Sequence, residues 1–175
     1  MTFSKWITIG VAGLLVGCGS AVDTASNEAA EALIEHAAKQ DGVDADVEIS
    51  NGGSEVSMNL TTERGAETIQ TGANVAMPEG FPKDIPVPDG VTLNMVNTAA
   101  NTKTFNIQAA TSQTIEAIVA YYKKEAPAQG WTETTSTAMA GVMASLEYEK
   151  DDRVLRVIAT GGDGNTMLTL NTELK

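Results

Sequence analysis

Residues 144–172 read ASLEYEKDDRVLRVIATGGDGNTMLTLNT. Ala144, Leu146 and Tyr148 alternate with Ser145, Glu147 and Glu149, the period-two pattern of a strand with one dry face. Asp151-Asp152 then turns into a second strand, Val154 to Thr160. Gly161-Gly162-Asp163-Gly164 turns into a third, Met167 to Thr172. Trp131 opens a Thr-rich strand just before this run. Further back, Ile115, Ile118, Val119 and Tyr122 fall at helical spacing behind a cap at Thr111 or Ser112, with Pro127 and Gly130 as stop signals. Two more strands precede the helix, near Val91-Val96 and Thr104-Ala109, where Phe105 and Ile107 point one way. We read residues 91–175 as β-β-α-β-β-β, an antiparallel sheet with one helix covering one face.

Residues 27–77 suggest a smaller unit of the same class, α-β-β-β. Asn27 reads as a helix N-cap, with Glu28 and Glu31 in the first turn where the helix dipole favours acids. Ala30, Leu33, Ile34, Ala37 and Ala38 share one face, and Asp41-Gly42 ends the helix. Val47 and Ile49 alternate with acids, Asn51-Gly52-Gly53 is a hairpin signal, and Val56, Met58 and Leu60 alternate with polar residues. A weaker strand follows around Ile69. The expected fold class is therefore α+β, two small units whose antiparallel sheets are each covered by a helix. Residues 78–90, PEGFPKDIPVPDG, hold four of the five prolines. Proline fixes φ and lacks an N–H, so this stretch reads as an extended connector whose Phe81, Ile85 and Val87 pack onto a sheet.

Composition limits the function. The chain has 175 residues, 23 Asp+Glu, 11 Lys+Arg and a formal charge of −12. Nucleic acid is an unsuitable partner, because neutralising phosphates requires a surplus of Lys and Arg. One Cys excludes an intrachain disulfide and a thiolate-rich metal site. The acidity is concentrated early: residues 18–77 hold 11 acids against 2 bases, and residues 78–175 hold 12 against 8.

The amino terminus reads as an export leader. Lys5 and the free amine form a short positive region, and the apolar run Trp6 to Leu15 is too short to span a bilayer. Leu15-Val16-Gly17-Cys18 resembles the lipobox of bacterial lipoproteins. That resemblance implies cleavage between Gly17 and Cys18, acylation of Cys18, and attachment to a membrane through the acyl chains, of which two or three make a durable anchor. Residues 1–17 would then be a discarded signal peptide and residues 18–26 a flexible tether. Gly19 after the cysteine implies the outer membrane, facing the periplasm.

A second resemblance covers residues 78–175. Phe81-Pro82-Lys83-Asp84-Ile85-Pro86 with Pro88-Asp89-Gly90, then Tyr121-Tyr122-Lys123-Lys124, then Gly130-Trp131, resembles a module of uncharacterised bacterial envelope lipoproteins. Those motifs imply fold more than activity, and the resemblance brings no catalytic role to this chain.

Chemistry-bearing patterns are few. His36 is the single histidine and has no second nitrogen or sulfur donor near it in sequence, where zinc and copper sites need several. Asp44, Asp46, Glu48 and Glu55 have partial EF-hand spacing, but Ile49 stands where the sharp bend requires Gly. No G-x-S-x-G and no phosphate loop appears. No catalytic, cofactor-binding or metal-binding residue is assigned; the site residues are Cys18 for lipidation and Gly17-Cys18 for cleavage. The expected function is a non-enzymatic, lipid-anchored envelope protein that binds or assembles with an envelope protein partner. The alternatives are a hydrolase or lyase of an envelope polymer using unmarked carboxylates, and a small-ligand or ion carrier using the sheet face its helix leaves open.

Overall fold

The structure is a computed structural model, and it describes residues 24–174 apart from 64, 74, 163 and 164. Gly17 and Cys18 lie outside the described residues. So do the leader and most of the expected tether.

Nine strands form one antiparallel sheet in the order β1-β2-β3-β4-β5-β9-β8-β7-β6. The chain enters through helix α1 (Thr24–Gln40) and makes the meander β1 (Asp44–Ser50), β2 (Glu55–Thr62) and β3 (Gly65–Thr71). After the proline-rich segment come β4 (Val91–Ala99), β5 (Thr104–Thr111), helix α2 (Ile115–Ala128), β6 (Thr132–Met139), β7 (Met143–Lys150), β8 (Arg153–Gly162) and β9 (Asn165–Leu174). The fold is α+β, as expected, but two details differ. Four strands follow α2, one more than the order β-β-α-β-β-β counts, because the Thr-rich run that precedes Ala144 is a strand of its own, paired with Met143–Lys150. The two expected sheets are also one, since β3 pairs with β4 from Glu67↔Ala99 to Thr71↔Met95.

One face of β4–β9 carries the core. Ile107, Ala109, Leu168, Leu170, Val157, Leu146 and Tyr148 are buried there beneath Ile115, Ile118, Tyr122 and Ala126 of α2. At about 25 cal/mol per Å² of apolar surface, burial on this scale is the main stabilising term. α2 begins at Thr114, whose side chain accepts from the Ala117 N–H. That N-cap lies two or three residues beyond the expected Thr111 or Ser112. Those two residues instead belong to the end of β5 and the following bend.

The proline-rich connector packs onto the same face, as expected: Ile85 is in the core, and Phe81 and Val87 lie against it. Phe81 meets Phe105 edge-on at 5.6 Å. Asp84 is the connector's polar anchor. It accepts two hydrogen bonds from Arg153, at 3.0 and 2.6 Å, and one from Lys150 at 2.6 Å. These cations hold its carboxyl well below the usual carboxylate range. The Trp131 indole N–H donates to the Asp84 carbonyl at 2.8 Å, and Arg153 stacks over the same ring. Tyr121 donates to the Val87 carbonyl at 2.9 Å. The residues that mark the second resemblance therefore tie the connector to the helix and hairpin.

α1 departs most from expectation. It starts at Thr24, so Asn27 is inside the helix and residues 24–26 are not tether. It runs beside β1 and covers the sheet's edge. Asn27 donates to the Ile49 carbonyl at 3.2 Å, Glu31 accepts from the Ile49 N–H at 2.6 Å, and Glu35 accepts from the Val47 N–H at 3.1 Å. Spacing of four places all three on one helix face, where they satisfy the backbone groups an edge strand leaves free. The cost is that Leu33 points outward, 71% exposed, with Ile34 partly exposed.

Candidate ligand-binding recesses

Among the described residues, three recesses are of a size to take a ligand. The first lies between α2 and the β6–β7 hairpin, with a volume of about 390 Å³. Ile115, Val119 and Ala120 of the helix face Ala138, Met139 and Ala140 of the hairpin across it, and Glu116 and Lys123 stand at its rim. Helical periodicity puts Glu116, Val119, Ala120 and Lys123 on the flank next to the buried stripe, to which Ile115 itself belongs. The alternation of β6 turns Ala138 towards the helix, opposite Ala144. The hairpin tip is apolar and exposed, with Met139 at 59% and Val142 at 53%. It is tied to the helix by the Gly141 N–H, which donates to Glu116 at 3.1 Å. Glu116's own backbone N–H, and then that of Gly141, hold its carboxyl below the ordinary value. At the other end of α2, Lys123 reaches Glu133 at 3.9 Å. The recess is a neutral, apolar slot with a charge pair at its far end, and such shapes take small apolar molecules.

The second, about 440 Å³, lies at the opposite end of the same face. Pro82 of the connector, Phe105 and Leu174 line it, with Lys103 and Arg153 alongside. Arg153 is already committed to Asp84. The third, about 270 Å³, is a shallow trough on the polar face of β1–β3, lined by Ser50, Ser57, Gln70 and two carboxylates, Glu48 and Glu55. Glu55 is diagonal to Glu48 across the β1–β2 pair and accepts from Ser50 Oγ at 3.4 Å. The trough is open to solvent and Glu48 is exposed, so nothing seals these carboxylates from water.

The residues weighed for metals are scattered. His36 is exposed and hydrogen-bonds with Gln40 at 2.9 Å. Asp44, Asp46 and Glu48 are the solvent-facing positions of β1. Among the described residues no group of three His, Cys, Asp or Glu could hold an ion, and no helix is long and apolar enough to cross a membrane. The apolar recesses lie at the margins of the helix-covered face, not on the open face where a carrier site was expected. Sequence reading missed the α2–β6 slot because its lining comes from the flank of one element and the tip of another. The exposed pair Met139 and Val142 in a turn was the available signal.

A family model described as START domain-like matches residues 91–171. The match begins at the first residue of β4, ends within β9, and contains the whole α2–β6 slot. No curated protein and no solved structure matches the chain.

Proposed function

We propose that this protein is a non-catalytic carrier of a small apolar ligand, held at a bacterial envelope membrane by acyl chains on Cys18, and that the ligand occupies the α2–β6 slot. The observation that carries the reading is an apolar slot inside the segment similar to a START domain-like family, a similarity that suggests ligand binding. The lining explains how binding would work. Removing apolar surface from water drives it, while the Glu116–Gly141 and Lys123–Glu133 contacts at either end limit its length. The hairpin tip is the natural lip, since an exposed turn yields more readily than the core beneath it.

The fluorescent apolar probe N-phenyl-1-naphthylamine tests this on the full chain. Saturable binding is expected, and Val119→Trp, which fills the slot from a partly buried helix position, should weaken it at least about tenfold with an unchanged melting temperature. Equal binding by wild type and variant would overturn the assignment. The anchor has its own test: Cys18→Ser should abolish incorporation of labelled palmitate in a bacterial host, and persistent labelling would refute lipidation. Attachment by chains alone suits a protein of this acidity, which gains nothing from an anionic lipid surface.

A further inference from the structure

The sheet's second face, behind the core, has an unusual make-up. Among the described residues no helix packs on it across β3, β4, β5 and β9: α2 lies over β6–β8 on the core side, and α1 runs along β1. Strand register aligns Asn97, Asn106 and Asn171 side by side on β4, β5 and β9, about 4.8 Å apart. Gln108 and Thr169 are neighbours in the next row. The outward face of an antiparallel sheet is ordinarily polar, but Asn is depleted in strands because it fits the pleated surface poorly. Three in one row is therefore unfavourable to the strands on propensity alone. The amides of Asn97, Asn106, Gln108 and Asn171 make no side-chain hydrogen bond to another described residue. Each offers a donor and an acceptor outward.

The borders of this ladder define what it suits. On one side it continues into Ile69 of β3 and Met58 of β2, both half-buried. On the other it reaches Arg156, whose charge is consumed by Glu147 and Glu173. In a chain of formal charge −12, the ladder is a neutral strip. An anionic polymer would be repelled by the rest of the molecule, and a basic peptide finds no free acid in the row. A ligand with vicinal hydroxyls at its edges and apolar C–H faces matches both the amides and the shelf of Ile69 and Met58. We propose that this face binds a neutral glycan strand, laid across β4, β5 and β9 with its hydroxyls on Asn97, Asn106 and Asn171. The site is independent of the apolar slot, which is on the opposite side of the sheet.

Titration of the full chain with chitohexaose, followed by calorimetry, tests it, with maltohexaose as a second neutral glycan and heparin as an anionic control. Saturable binding of a neutral hexasaccharide is expected. Asn106→Leu, close in volume and better suited to a strand, should weaken it about tenfold while leaving the melting temperature and N-phenyl-1-naphthylamine binding unchanged. Gln108→Leu, in the adjacent row, repeats the test if the first variant folds poorly. Absence of binding to both neutral glycans at millimolar concentration, equal binding by the Leu variants, or a preference for heparin would overturn the proposal.

Discussion

The strands before residue 72 and those after residue 90 hydrogen-bond into one sheet, yet they bury opposite sides of it. In β4–β9 the apolar residues face α2 and the connector. In β1–β3 Val47, Met58 and Ile69 share a row with Asn97 and Asn106, which places them on the reverse face. The C-terminal region closes its core with Trp131, Tyr122 and Tyr148, all essentially inaccessible. The N-terminal region has no aromatic side chain between residues 24 and 77, Val47 is its one buried hydrophobic among the described residues, and its helix docks through an amide and two carboxylates. A backbone ladder can therefore continue where the hydrophobic core does not. Hydrogen bonds contribute little net stability, so β1–β3 and α1 should open locally while β4–β9 stays folded.

The contrast can be broken first at its strong end. Trp131→Ala should cost about 3–5 kcal/mol in denaturant unfolding, because the indole fills the core and carries the bond to Asp84. Met58→Ala, half-buried in the N-terminal region, should cost far less, under about 1.5 kcal/mol on the same scale. Equal losses would mean one shared core. Next is Asp84→Asn, expected to remove about 2 kcal/mol through its charged hydrogen bonds. Its carboxyl has a lowered pKa in the folded state, so this contribution is complete above the unfolded value of about 3.9 and fades as pH falls below it towards the folded pKa. Wild type and variant should thus differ by a constant amount from pH 7 to 5 and converge in stronger acid; a gap unchanged at pH 2 would contradict the ion-pair account.

Smaller effects sharpen the comparison. Glu31→Ala should raise hydrogen exchange at the Ile49 amide, and Glu35→Ala at Val47, each by about 1 kcal/mol of local opening, without altering protection in β8 or β9. Slowed global folding or lost protection there would show that α1 supports the whole sheet. Last comes the Tyr122 hydroxyl, buried with no described partner; burial pushes its pKa well up. Tyr122→Phe should be neutral or stabilising by up to about 1 kcal/mol in thermal melts, since an unpartnered buried polar group is a cost.

Much of the fold was legible in local pattern. Ala144-Leu146-Tyr148 and the glycine and aspartate turns define β7–β9, because alternation and turn chemistry depend only on near neighbours. The connector was legible too, as prolines restrict their own backbone. α1 was not: the stripe Ala30, Leu33, Ile34, Ala37 and Ala38 predicts a packed apolar face, but the face that docks is Asn27, Glu31 and Glu35. Their partners are strand N–H and C=O groups that carry no mark in the sequence. The recess between α2 and the β6–β7 hairpin was equally hidden, its lining depending on how far the hairpin stands off the helix.

By itself the sequence determined where most strands, helices and turns fall, and which residues α2 and β7–β9 keep dry, since covalent geometry and side-chain periodicity act over a few residues. Only the tertiary structure decided that β3 pairs with β4, that the apolar side changes there, and that three asparagines from β4, β5 and β9 meet in one row. Those outcomes depend on strand register, and register is set by contacts between residues as far apart as Asn106 and Asn171, whose proximity exists only once the sheet has formed.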